Sequence, residues 1–280
     1  MKRLYLFLLA LSAAVTAFAA NPQKPESVTV MSYNVRNGKA LDGTNSWQYR
    51  LEANIEMVKD MAPDVFGIQE AFDFQMAFFK DYLDGYKGVG VGRDDGKKKG
   101  EHAGIFYNTK TMKLLKWGSF WLSETPGKPT KGWDARYPRT ATWALMKDKS
   151  SGKQFFFVNT HLDHKGVKAR EESLKLIVSR IASINPKGFP MVLVGDFNVT
   201  PDNPALKCLD SVMKSARDVA MKTDTDATFN AWGHKDKFSV IDYIYFDGFS
   251  SCPVFEVNRK PYCGRTFVSD HYPIRATLLF

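Results

Sequence analysis

The chain alternates short apolar runs with polar breaks, and the period of each run predicts an element. Val28 to Val35 alternates apolar and polar positions as a half-buried strand does, and it ends in Asn34-Val35-Arg36-Asn37-Gly38. Trp47 to Met61 sets Leu51, Ile55 and Val58 at helical spacing and stops before Pro63, which predicts an amphipathic helix. Val65 to Gln69 predicts a buried strand that delivers Glu70 at its end. Further strands are expected over 103–107, 114–122, 140–146 and 155–159, where aromatic and β-branched residues concentrate. A helix from Val167 to Ile184 follows, with Leu174, Ile177, Val178 and Ile181 as its apolar stripe. Met191 to Val194, Val240 to Phe246 and Ile274 to Phe280 complete the strands.

Strands outnumber helices, and both strand–helix–strand stretches and hairpins are present. That mixture predicts an α/β protein with mixed sheets. No repeat, linker or composition break divides the chain, so one domain over residues 20–280 is expected. The segment before it reads differently. Lys2 and Arg3 precede an apolar run from Leu4 to Val15, followed by Ala17-Phe18-Ala19. A basic tip, an apolar stretch too short to span a bilayer and small residues at its end predict a secretory signal over 1–19, cleaved after Ala19. A periplasmic or secreted product, without stable membrane insertion and monomeric, is the expectation.

Composition narrows the class. With 44% hydrophobic, 25% charged and 14% aromatic residues among 280, the chain buries a sizeable core and is neither disordered nor collagen-like. The formal charge of +9 falls to about +7 once Lys2 and Arg3 are removed, which favours anionic partners. Three cysteines lack the spacing of a zinc site. In an oxidising compartment Cys252 and Cys263 could pair, leaving Cys208 odd.

Chemistry collects where strands stop. Asn34, Glu70, His161, Asp196 with Asn198, and Asp270 with His271 follow apolar runs, and Asp242 begins one. One such residue is as readily a hydrogen-bonded structural group; a set of them describes a site carried on loops by a rigid sheet. Carboxylate and carboxamide oxygens suit a hard cation such as Mg²⁺ or Mn²⁺, and imidazole and carboxylate groups not used as ligands can activate water. The chain has no G-x-S-x-G elbow, P-loop or H-E-x-x-H.

These segments resemble the endonuclease/exonuclease/phosphatase superfamily: M-S-Y-N-V-R at 31–36, I-Q-E at 68–70, N-T-H-L-D-H at 159–164, G-D-F-N at 195–198, I-D-Y-I-Y at 241–245 and S-D-H-Y-P at 269–273. The resemblance covers nearly all of the chain after the signal, in the family's order. It implies a four-layer α/β/β/α sandwich of two mixed sheets flanked by helices, with the site at one edge. It further implies Glu70 as the principal metal-binding carboxylate, with Asn34 and Asp270 close to the same cation. Asp196 and Asn198 resemble the pair that prepares the attacking water and holds the phosphate. His271 resembles the imidazole on the phosphoryl oxygen, Asp242 the carboxylate that orients it, and His161 a second phosphate-contacting histidine. The implied reaction is metal-assisted hydrolysis of a phosphate ester by in-line attack of water.

Departures and additions bear on the substrate. Arg36 stands where several nucleases of the family have an acidic residue, and it is a candidate to grip a phosphate bidentately. Tyr107 and Arg139 are further substrate-binding candidates, with Glu101-His102 beside them. The basic loop Gly92 to Gly100, with Lys97-Lys98-Lys99, reads as solvated or phosphate-contacting. Phe120-Trp121, Trp133 and Trp143 read as core packing before any wall of the site. A small or terminal phosphate ester is favoured, a secreted nuclease for DNA or RNA is the alternative, and a non-catalytic binding module on this scaffold is the remote one.

Overall fold

Near-continuous apolar runs leave the central strands buried on both faces, and each face is covered by a different layer. The computed structural model describes residues 26–280, so the expected signal segment lies outside the described residues. In chain order the strands are β1 (Ser27–Asn34), β2 (Val65–Ala71), β3 (Tyr86–Val89), β4 (His102–Asn108), β5 (Met112–Trp121), β6 (Thr140–Asp148), β7 (Gln154–His161), β8 (Met191–Asp196), β9 (Lys214–Ser215), β10 (Lys222–Thr223), β11 (Asp242–Asp247), β12 (Ser251–Val257) and β13 (Ile274–Leu279). The helices are α1 (Leu51–Met61), α2 (Asp73–Tyr82), α3 (Val167–Ile184), and the single turns α4 (Lys207–Asp210) and α5 (Ala216–Val219).

One sheet of seven strands runs β10-β12-β13-β1-β2-β4-β3, and a second of six runs β5-β6-β7-β8-β11-β9. Both are mixed: β1 and β2 pair in parallel, as do β7 and β8, while β13 and β11 join them antiparallel. Val28 and Val30 of β1, Phe155 and Phe157 of β7, Val192 and Val194 of β8, and Ile244 and Phe246 of β11 meet in one core between the sheets. The opposite faces carry the helices. Met31, Tyr33, Phe66 and Ile68 pack against Ile55 and Val58 of α1 and Phe79 of α2. Phe156, Val158, Leu193 and Tyr245 pack against Leu174, Ile177 and Ile181 of α3. The result is the expected α/β/β/α sandwich, driven by burial of apolar area on both faces of each sheet. Among the described residues, no helix is long and apolar enough to cross a membrane.

The nine strands expected from the sequence are present, with ends moved by at most two residues. The helix expected from Trp47 begins differently: a 3₁₀ turn over Trp47–Tyr49 breaks at Arg50, and α1 starts at Leu51. The break exists because the Arg50 side chain enters the interior. Helix α2 escaped the pattern because its buried stripe contains Gln75, whose side chain accepts from the N–H groups of Gly38 and Phe72. Strand β12 also went unpredicted, its alternation interrupted by a bulge against β13.

One expectation is corrected. Cys252 and Cys263 do not pair, and Cys208 is also free. Cys252 points into the core between the sheets, whereas Cys263 is exposed on the loop before β13. The basic loop is more ordered than its glycines suggest. Asp95 accepts from the N–H groups of Lys97 and Lys99, Gly92 donates to Lys97 and Asp94 to Lys99.

Candidate active site

The inner faces of the strands are apolar through the middle of the sandwich and turn polar at one end. Continuing the period of Val28 and Val30 places Ser32 and Asn34 on the face of β1 that looks at the other sheet. The same count carries Phe157 to Asn159 and His161 on β7, Val194 to Asp196 on β8, and Ile244 back to Asp242 on β11. Register then sets three of them abreast, because Asp196 is opposite His161 on one side and Asp242 on the other. Between this row and the core sits a polar plug. Gln69 donates to Asn159 at 2.7 Å, and the Asn159 amide donates to the carbonyls of Ile68 and Gly104 at 2.9 and 2.7 Å. Residue 67 is glycine because a Cβ there would press on the side chains of Asn159 and Val194.

Glu70 breaks the alternation. Val65, Gly67 and Gln69 face inward, so residue 70 of a regular strand would point at the helices. Instead the register of β2 against β4 shifts between Ile68 and Ala71, and Glu70 takes a left-handed φ of 64°. The bulge re-aims its carboxylate into the cleft. Arg36 and Asn198 also have left-handed φ values, 62° and 53°. Three of the eight left-handed non-glycine residues among the described residues therefore lie where these side chains converge.

The floor is one hydrogen-bonded array. The Asn34 amide nitrogen donates to Glu70 and to Asp196, each at 3.0 Å, and its oxygen accepts from the N–H of Arg36 at 2.9 Å. The second Glu70 oxygen accepts from the N–H of Asn37 at 2.7 Å. Asp196 also accepts from the N–H of Asn198 at 2.9 Å, so the acid and the turn that follows it are locked together. His271 Nδ1 lies 2.9 Å from Asp242, and its Nε2 lies 3.8 Å from Asp196. On the far side, His161 Nε2 is 3.5 Å from Asp196 and 3.1 Å from the Asn198 amide nitrogen.

Burial and charge separate the two imidazoles. Burial works against a charged His271, but Asp242, Asp196 and Asp270 outweigh it and push its pKa up to about 10. His161 is held well below its ordinary value by burial, with Arg139 and Arg93 adding repulsion. One histidine is therefore a cation at neutral pH and the other is neutral. Because the Asn198 amide donates to His161 Nε2, the His161 proton belongs on Nδ1. Burial, aided by Asp242 and Glu70 against the attraction of His271, pushes Asp196 up to about 7. Burial together with Glu70 does the same to Glu101 against Arg93 and Arg139.

A cleft of about 480 Å³ opens over this floor. Of the residues expected from the sequence, Arg36, Glu70, Arg139, His161, Asp196, Asn198, Asp270 and His271 line it, and Asn34 and Asp242 lie directly beneath. Tyr107 does not belong to it. Its ring packs in the core between the sheets, paired in register with Val65 at the other end of β2, so its proposed contact with a phosphate is withdrawn. Arg36 reaches the cleft, but its bidentate edge is taken by Asp42, at 2.9 Å for both bonds, while Nη1 stands 3.4 Å from Asp270. The expected bidentate grip on phosphate is therefore not available to it as placed. Phe120 and Trp143 pack in the core under α3, and buried Trp121 donates to the Arg93 carbonyl, as core packing requires. Lys97, Lys98 and Lys99 are exposed and do not line the cleft.

Glu101 was expected beside Arg139 and lines the cleft, whereas Arg93, Asp163 and Arg50 had no sequence signal of their own. Arg93 and Glu101, at the base of the basic loop, form a close ion pair at the cleft wall. Asp163, inside the N-T-H-L-D-H segment, accepts from the N–H groups of Arg136, Tyr137, Lys165 and Gly166 and from Arg139 Nε. It thereby fixes Arg139, Tyr137 and His164 against the end of β7. Arg50 is fully buried between Trp47 and Trp232, its guanidinium carbon 5.3 Å from each ring centroid. It donates to the carbonyls of Asn45, Val35 and Val268, the last two adjoining Arg36 and Ser269. No carboxylate pairs with it among the described residues. Each carbonyl left unpaired costs about 1–3 kcal/mol, so Arg50→Met is expected to destabilise the fold by at least about 2 kcal/mol. Urea unfolding measures this, and an unchanged midpoint would show that water replaces the guanidinium.

The sequence matches the model of the Endonuclease/Exonuclease/phosphatase family over residues 31–271. The chain belongs to the endonuclease/exonuclease/phosphatase family. Among solved structures, a member of this family from Bacteroides thetaiotaomicron is 37% identical with a TM-score of 0.86, over 92% of this chain and 99% of its own. A mannosyl-6-phosphatase from Bacteroides thetaiotaomicron VPI-5482 is also 37% identical with a TM-score of 0.86, over 90% of this chain and all 100% of that one. The human Nocturnin catalytic domain, at 19% identity and a TM-score of 0.72 over 93% and 96%, shares the fold. No curated protein matches the chain.

As an endonuclease/exonuclease/phosphatase family member, the chain is a phosphoric ester hydrolase, and the family depends on a divalent metal. The side chains fit one. Glu70, His161 and Asp196 each bring a ligand atom within 4.8 Å of the others, as do Asp196, Asp242 and His271. The oxygen-rich donor set suits a hard cation, and a divalent charge would offset the burial, and the repulsion from Asp242 and Glu70, that raise Asp196. Two expected ligands stand differently. Asn34 turns its nitrogen, not its oxygen, to Glu70 and Asp196, and so aligns the two carboxylates. Asp270 lies outside both clusters and is engaged by Arg36 and by the Ser269 hydroxyl at 3.3 Å.

Proposed function

We propose that this chain is an exported Mg²⁺- or Mn²⁺-dependent phosphatase that removes the terminal phosphate of a small phosphate monoester. One observation carries the reading: the cationic and imidazole groups Arg36, Arg93, Arg139, His161, His164 and His271 converge on a single cleft, of a size that suits a small ligand of roughly 300–1,000 Å³ sites, instead of lying along an outer track. The relative that is named a mannosyl-6-phosphatase supports a sugar phosphate as the class. The secretory pattern of residues 1–19 supports export.

In this reading Glu70 and Asp196 would hold the cation, which would supply charge neutralisation at the phosphoryl oxygens. Asp196 takes a proton from the attacking water. Charged His271, fixed by Asp242, faces the phosphoryl oxygens and stabilises the charge that builds there. Asn198 and neutral His161 complete the pocket around the phosphate. Water adds to phosphorus as the bond to the ester oxygen breaks in line, the proton taken by Asp196 passes through solvent to that ester oxygen, and an alcohol and inorganic phosphate leave.

The test uses the mature chain stripped of metal by exhaustive chelation. Hydrolysis of a hexose 6-phosphate and of p-nitrophenyl phosphate is expected to vanish and to return with Mg²⁺ or Mn²⁺. Full activity without metal would overturn the metal assignment. Efficient cleavage of internal bonds in long single-stranded DNA, with monoesters spared, would turn the reading to a nuclease.

A further inference from the structure

A row of interacting groups runs across the cleft from His271 through Asp196, His161 and Glu101 to Arg93, with an aromatic ring at each end. At the His271 end, the Phe229 ring stands 4.9 Å from the imidazole at 60° and packs on the chemistry itself. At the other end stands Tyr137, beyond the groups that would contact phosphate. It lines the cleft yet is 41% exposed.

Exposure alone does not single this ring out, since Tyr49 and Tyr82 are more exposed; its place on the cleft wall does. The ring is exposed but held in place from several sides. The Arg93 guanidinium lies 4.9 Å from its centroid, the His164 ring lies 5.9 Å away at 30°, and its own N–H is bound to Asp163. His164 is fixed in turn by Arg139, 3.1 Å from its Nδ1. Two rings pre-set in nearly parallel planes at a cleft wall lower the ordering cost of stacking against them. The cleft also has more room than a phosphate fills.

We propose that Tyr137 and His164 form the subsite for the leaving group, and that this group is a saturated sugar ring. A pyranose has one face made largely of C–H bonds, which stacks on an aromatic surface, and hydroxyl edges that suit the arginines around it. The inference rests on the phosphatase reading and adds to it the residues that select the substrate.

The test compares kcat/KM for a hexose 6-phosphate with that for glycerol 1-phosphate, which has no ring. The wild-type chain is expected to favour the ring by at least about tenfold, through KM. Tyr137→Ala should cut that preference about tenfold, Tyr137→Phe should keep it, and His164→Ala should reduce it. Equal use of the two substrates by the wild-type chain, or a preference that survives in Tyr137→Ala, would overturn the subsite while leaving the phosphatase in place. Failure to hydrolyse either monoester with metal present would overturn the phosphatase reading itself.

Discussion

Asp196→Asn is expected to lower kcat by about 10³ or more while leaving the fold intact or strengthening it. A positioned general base contributes roughly 10²–10⁴ in rate, and Asp196 is also the carboxylate shared by both candidate ligand clusters. The stability effect has the opposite sign for a separate reason. Burial, with Asp242 and Glu70 nearby, raises the folded pKa of Asp196 from an ordinary 3.8 to about 7. A carboxyl whose pKa is raised on folding weakens the fold as pH climbs from the unfolded value to the folded one, by up to about 1.4 kcal/mol per pH unit. Asparagine carries no charge, and its single oxygen can accept from Asn34 or from the Asn198 N–H but not both, a cost that does not vary with pH. In metal-free protein the variant should therefore gain on the wild type between about pH 4 and pH 7 and hold that gain above. Steady-state kinetics and urea unfolding at several pH values measure both halves. A variant with kcat within tenfold of wild type would remove Asp196 from the chemistry.

Asp242→Asn is the second large effect, with an expected loss of about 10² in kcat. Asp242 holds His271 Nδ1 at 2.9 Å and helps to keep the imidazole charged. The sign for stability here is that of a base. A histidine with a folded pKa of about 10 and an ordinary value of 6.5 stabilises the fold fully below about pH 6.5 and loses that contribution as pH rises through 10. Asparagine removes the main attraction, so the stability gap between wild type and Asp242→Asn should be widest near pH 6 and close towards pH 10. A gap that does not vary with pH, or a kcat within threefold of wild type, would make Asp242 a structural residue.

The two variants also separate roles that one sequence pattern shares. Asp196 and Asp242 both sit on polar ends of apolar strands, and both face the inter-sheet space. What distinguishes them is neighbours. Asp196 is bracketed by Glu70, His161 and His271, whereas Asp242 has His271 as its side-chain partner.

The local pattern of the sequence was enough for an α/β protein with mixed sheets and for polar residues at its strand ends; the four-layer sandwich and the roles in the site came from the family resemblance. Period two on β1, β7, β8 and β11 is a backbone property, so a count from Val30, Phe157, Val194 or Ile244 carries directly to Asn34, His161, Asp196 and Asp242. The helix over Val167–Ile184 was legible for the same kind of reason, because Leu174, Ile177 and Ile181 recur at helical spacing and only small Ala169 and Ser173 are buried beside them. What the chain could not reveal locally depends on partners far away in sequence. Glu70 faces the cleft only because β2 bulges against β4, which alternation alone would have denied. Arg36 looked free for phosphate until Asp42 and Asp270 closed on it, and Tyr107 looked available until register placed it beside Val65. Arg50 drew no reading from the sequence, and its burial between two tryptophans follows from the segments that fold over it. Strand and helix periods are set by covalent geometry and so are written in the sequence; bulges, ion-pair partners and the burial of a charge are set by which segments meet, and only the tertiary structure decides them.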